Sequence, residues 1–94
     1  MQDKELHALL LRAVAGESCS RDVGEIRDLT VVVEAEDEAD AHERVLWALA
    51  RRGWISAELR RHTIAEDDPT LDPTLRQAVL AARRHGEHVV VYEP

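Results

Sequence analysis

Two valine-rich runs limit what this chain can become. Residues 29–35 read Leu-Thr-Val-Val-Val-Glu-Ala and residues 89–92 read Val-Val-Val-Tyr, β-branched and apolar at successive positions. Successive side chains of an extended chain point to opposite faces, so an unbroken apolar run makes a strand that needs cover on both sides. Such a strand belongs inside a sheet, and the rest of the sequence has to supply the cover.

Two helices are predicted to do so. Asp37 can cap a helix whose first turn carries Glu38 and Asp40, both favourable at the positive end of a helix dipole. That helix runs to Arg52, with Arg51 and Arg52 at its negative end and Gly53 as a left-handed stop. Ala41, Val45, Ala48 and Leu49 form its apolar stripe. Trp47 falls about 160° from the stripe's centre, on the outer side. A second helix starts at Asp72 with Pro73 in its first position and repeats Leu75, Ala78, Val79 and Ala82 at helical spacing. Arg83 and Arg84 fill its last turn and Gly86 ends it.

Between the helices, residues 54–64 alternate. Ile55, Ala57, Leu59 and Thr63 fall to one side; Ser56, Glu58, Arg60 and His62 fall to the other. This is the pattern of a strand with one wet face, near a sheet edge. Residues 29–94 therefore read β-α-β-α-β, and helical crossovers favour parallel strands with right-handed connections. Leu6, Leu9, Leu10, Ala13 and Val14 suit a helix or a strand, with a lean to a strand. Residues 16–28 are polar, contain two glycines, and read as a mobile loop.

The expected fold class is α+β (or α/β): a small open sheet of three to four strands with helices packed on it, in one domain over residues 1–94. A chain this short buries roughly 60–65% of its unfolded surface, enough for a single core. The order is similar to that of small bacterial α+β domains, ferredoxin-like ones among them. That fold, however, needs a hairpin between its helices where residues 54–72 offer one strand, and likeness at this level implies no activity.

Charge and composition narrow the function classes. The formal charge is −7, which speaks against nucleic acid and anionic membranes and allows a basic partner. No apolar run approaches the roughly 20 residues that cross a bilayer, and Met1 to Glu5 lacks the basic start of a signal peptide. One cysteine, Cys19, rules out an internal disulfide and fits a reducing compartment, so a cytoplasmic location is expected. Of twelve cationic side chains only Lys4 is not arginine, a bias associated with GC-rich bacterial genomes. Aromatic residues are Trp47, Trp54 and Tyr92 alone, which leaves little stacking surface for bases or planar cofactors, and no cofactor is expected.

No catalytic or cofactor motif is present: no glycine-rich phosphate loop, nucleophile elbow or paired metal-ligand spacing. The acidic stretch Glu34, Glu36, Asp37, Glu38, Asp40, Glu43 and the group Glu66-Asp67-Asp68 could offer oxygen ligands at strand ends. Helix capping and turn formation account for both without a metal. His85 and His88 could share a metal with His62 or Cys19, and Cys19 could act as a nucleophile, but neither lies in a recognisable spacing. Three arginine pairs remain, of which 51–52 and 83–84 sit where helix dipoles favour cations. Arg60 and Arg61 lie on the wet strand, where they could meet a partner's acids or protect an edge.

The leading expectation is a non-catalytic interaction or accessory domain that self-associates or binds a protein partner. Its candidate interface residues are Trp47, Trp54, Arg60 and Arg61. It rests on a sheet apolar on both faces with only two one-sided helices to cover it. The alternative is a small ligand- or metal-binding enzyme or sensor that uses the acidic loops.

Overall fold

The computed structural model describes residues 4–65 and 72–93. The elements are β1 (Glu5–Ala15), β2 (Ile26–Ala35), α1 (Glu38–Arg51), β3 (Trp54–Ile64), α2 (Pro73–His85) and β4 (Glu87–Val91). The four strands form one sheet in the order β3-β1-β2-β4, and every neighbouring pair is antiparallel. The fold is α+β. No helix among the described residues is long and apolar enough to cross a membrane.

Both helices begin and end where their local chemistry places them. The Asp37 carboxylate accepts from the Asp40 amide at 2.8 Å, and the Asp72 carboxylate accepts from that of Thr74 at 2.9 Å. Gly53 and Gly86 take φ of +83° and +88°, the left-handed region that stops a helix.

Three expectations are corrected. The element order is β-β-α-β-α-β, not β-α-β-α-β, because the N-terminal segment is the strand its sequence leaned toward and sits at the centre of the sheet. The strands are not parallel neighbours: β2 and β3 do run the same way, but β1 is inserted between them and opposes both. Residues 26–28, read as loop, belong to β2, where Asp28 pairs with Arg12 and Ile26 with Val14.

The two helices lie on opposite faces of the sheet. One face carries Leu9, Leu11, Leu29, Val31 and Val33, sealed by Ala41, Val45, Ala48 and Leu49 of α1. The other carries Leu6, Ala8 and Val32, against Ala78, Val79 and Ala82 of α2. Val31 and Val32 are each fully buried although they point opposite ways, as a two-sided apolar strand demands. The expected shortage of cover, had both helices shared a face, does not arise in that form. It survives in part, because α2 seals only one end of its face. Further along, Leu10 and Val14 are half-buried, and Ile26 and Ile55 are 55% and 53% exposed.

Strand β3 departs from strict alternation. Its register against β1 slips between Leu10 and Leu11 and again between Arg12 and Val14, and Ser56 takes φ of +52°. Each bulge adds a residue and resets which face the next side chain takes. Trp54, Ala57, Leu59 and His62 thus face α1, while Ile55, Glu58, Arg61 and Thr63 face the other way. The bulges also blunt this exposed edge against pairing with another strand.

The hairpin loop folds back on the α1–β3 turn, where the Gly16 amide donates to the Gly53 carbonyl at 2.8 Å. A Cβ on Gly53 would collide with the backbone of Ser18 and Cys19, whereas one on Gly86 would meet nothing. Gly86→Ala should therefore cost only the left-handed strain, about 1 kcal/mol, and Gly53→Ala at least twice that, since backbone must also move. Urea unfolding of the two variants measures the difference.

Candidate functional site

The four residues singled out from the sequence separate. Trp54 pairs with Ala15 on the α1 side of the sheet and is 6% exposed, so it is a core residue and no interface anchor. Trp47 is 62% exposed on the outer side of α1. Arg60 lies exposed at a bulge, 3.5 Å from Glu58. Arg61 points onto the face that α2 only partly covers.

The acidic and basic clusters are absorbed locally. Asp40 accepts from the Glu36 amide and from Arg44, both at 3.0 Å, and the backbone hydrogen bond foremost holds its carboxyl below the ordinary range. Among the described residues no group of three His, Cys, Asp or Glu is arranged to hold a metal ion. The Glu66-Asp67-Asp68 group lies outside the described residues. Cys19 is half-buried against the α1-side core, its amide donating to the Gly16 carbonyl at 3.2 Å. His88 sits on β4 and His62 on β3, opposite edges of the sheet, so they share no site.

Arg51 and Arg52 both grip Glu87 at the start of β4, the second at 2.8 Å. Burial works to raise the Glu87 carboxyl, but the two guanidinium groups outweigh it and hold it below its ordinary value of 4.5. A carboxyl so depressed stabilises the fold above its unfolded value and stops doing so as pH falls through the folded one. Glu87→Gln should cost about 1 kcal/mol or less at neutral pH, as half-exposed ion pairs do. Unfolding curves at successive pH should show that deficit vanish below 4.5.

The structure also brings together a pair that the sequence does not reveal. His7, 2% exposed, meets His62 across β1 and β3 with Nδ1 to Nε2 at 2.9 Å, and His62 Nδ1 lies 3.3 Å from Glu38. A neutral His62 that donates to Glu38 must accept from His7; an imidazolium donates to both. In either state His7 Nε2 is buried without a partner. Two ring nitrogens on one tetrahedral zinc would stand roughly 3.3 Å apart by the usual bond lengths, so the shorter contact is closed by a hydrogen. His62→Ala strips the remaining partner from a buried ring and should cost about 1–3 kcal/mol. His62→Gln, which can still hydrogen-bond, should recover part of it in the same urea titration.

Two surfaces remain available to partners, on opposite sides of the sheet. The first is the outer side of α1, where Leu46, Trp47 and Ala50 adjoin Glu43 in an apolar patch. The second is a groove of about 410 Å³ where α2 stops short. Ala8 and Leu10 form its floor, Leu75 of α2 a wall, and Thr30, Thr63 and Tyr92 add hydroxyls. Thr30, 8% exposed, shares a 2.9 Å hydrogen bond with the Tyr92 hydroxyl. Asp28 lines the groove too, already paired with Arg12 at 3.1 Å. Arg61 completes it, and its side chain makes no hydrogen bond or ion pair among the described residues.

Sequence reasoning found Arg61 but not the groove, because the groove gathers residues from β1, β2, β3 and α2, and Tyr92 just past the end of β4. Comparison with protein families, with curated proteins and with solved structures finds no match to this chain.

Proposed function

We propose that this chain is a non-catalytic interaction domain that pairs with a second copy of itself along the outer side of α1. The observation that carries the reading is Trp47, a large apolar side chain 62% exposed in mid-helix beside Leu46 at 43%. Exposed aromatic residues of this kind are the usual anchors of protein interfaces.

The surrounding pattern favours a second copy. Ala39, Glu43, Leu46 and Ala50 follow one another at intervals of four, three and four, and all are exposed. That interval is the seam spacing of paired helices, here turned away from the core stripe. Small Ala39 and Ala50 at the ends allow close approach, with Leu46 and Trp47 at the centre. Charge runs from acidic to basic along the helix, Glu38 and Asp40 in its first turn and Arg51 in its last. An antiparallel pair about a two-fold axis near Trp47 sets Glu43 of each copy beside Arg51 of the other, and a parallel pair does not. The pairing thereby stays local and neutral in a chain whose net charge is −7.

One helix per copy makes a small interface, so the dimer should be weak, in the micromolar range. The acidic-loop alternative gains nothing from the geometry, since the Asp37 and Asp40 carboxylates are engaged in capping and an ion pair.

Sedimentation equilibrium from low micromolar to near-millimolar concentration tests the proposal. The mass should climb from 10.6 kDa toward twice that value. Trp47→Glu should weaken the association by at least tenfold, as loss of a hot spot does, with unfolding temperature unchanged. A parent chain monomeric throughout, or a dimer indifferent to Trp47→Glu, would overturn it.

A further inference from the structure

We infer that the groove left open by α2 binds a small organic carboxylate with an apolar body, anchored by Arg61. The site lies on the sheet face opposite α1, so it stands or falls independently of the self-association.

The first argument is charge. Arg61 reaches the groove from the edge strand without an ion-pair partner among the described residues. Asp28, the only carboxylate lining the groove among the described residues, is engaged by Arg12 at 3.1 Å. With Arg12 counted against Asp28, Arg61 leaves one positive charge uncompensated among the described residues, in a chain of net charge −7. An uncompensated guanidinium over an apolar floor, in a chain this acidic, is what a carboxylate would complete, and its planar fork matches carboxylate oxygens two at a time. Leu75 lies in the first turn of α2, so the wall it forms is the positive end of that helix.

The second argument is hydrogen-bond accounting. The Thr30 and Tyr92 hydroxyls meet at 2.9 Å, and either can be the donor. One contact uses one of their two hydrogens. The hydroxyl that accepts keeps its own hydrogen: on Thr30, more than nine-tenths buried, little water competes for it, while on Tyr92, 42% exposed, it faces the groove mouth. A ligand oxygen can take that hydrogen.

The third argument is the floor. Ala8, Leu10 and Leu75 offer nothing polar, so the body of the ligand must be apolar. A bare phosphate would leave this floor unused and would face a single cation. A volume of about 410 Å³ falls in the range of small-molecule sites and takes a body on the order of ten non-hydrogen atoms.

Phenylacetate and octanoate, titrated into uniformly labelled protein while amide resonances are recorded, test the inference, with phenylacetamide and octanamide as neutral counterparts. Ligands of this size should bind at about millimolar affinity. Shifts should concentrate at Ala8, Thr30, Arg61, Leu75 and Tyr92, and the amides should bind about tenfold more weakly, as befits one lost charge-assisted contact. Arg61→Gln should abolish the preference for acid over amide, and Tyr92→Phe should weaken the acid only a few-fold. The acid–amide comparison on the native chain needs no variant to fold. Equal binding of acid and amide, an unchanged preference in Arg61→Gln, shifts confined to α1, or no shifts at about 20 mM ligand would each overturn it.

Discussion

The central hairpin is apolar on both sides, and everything else in the structure answers to that. Leu9, Leu11, Leu29, Val31 and Val33 point one way, while Leu6, Ala8 and Val32 point the other. Each such side chain is worth about 1.5–3 kcal/mol when removed from water, against a net stability of only about 5–15 kcal/mol for a domain. Neither face can be left open along its whole length. The chain therefore sends α1 over one face and α2 over the other, and β3 and β4 flank the hairpin as edges.

The two faces are not covered equally, and the groove follows from the inequality. α1 carries four buried residues and seals its face; α2 buries Ala78, Val79 and Ala82 and seals one end of the other. Where α2 stops, the sheet turns from valine to hydroxyls and charges: Thr30, Asp28, Arg12 and Arg61. That polar change lets the face meet water without a third helix and at the same time furnishes a groove. α1 shows the converse, with a core stripe inside and an exposed apolar patch outside centred on Leu46 and Trp47. Both proposed surfaces are departures from the plain pattern of apolar in and polar out.

Much of the fold was legible from local chemistry. Caps at Asp37 and Asp72, stops at Gly53 and Gly86, and the valine runs mark elements that their own few residues define. What failed was non-local. The crossover rule implied that each helix joins neighbouring strands of like direction; α1 does join β2 and β3, which run alike but are not neighbours, whereas α2 joins β3 and β4, which run in opposite directions. The insertion of β1 between β2 and β3, and the reversed direction of β4 beside β2, make the sheet antiparallel throughout. The bulges of β3 were equally hidden, since a slip of one residue leaves no mark on composition, yet it moves His62 beside His7 and turns Arg61 with Thr63 into the groove. Trp47 was legible because helical geometry fixes its angle, while Trp54 was not, because its burial depends on pairing with Ala15.

Methyl–methyl nuclear Overhauser contacts test the two-faced arrangement most directly, because adjacent valines of β2 report on different helices. Val31 and Val33 methyls should show contacts to Val45 and Leu49 of α1 and none to α2, and Val32 methyls should show contacts to Ala78, Val79 and Ala82 and none to α1. Contacts from both helices to the same valines would place them on one face and remove both the sealed side and the groove opposite it.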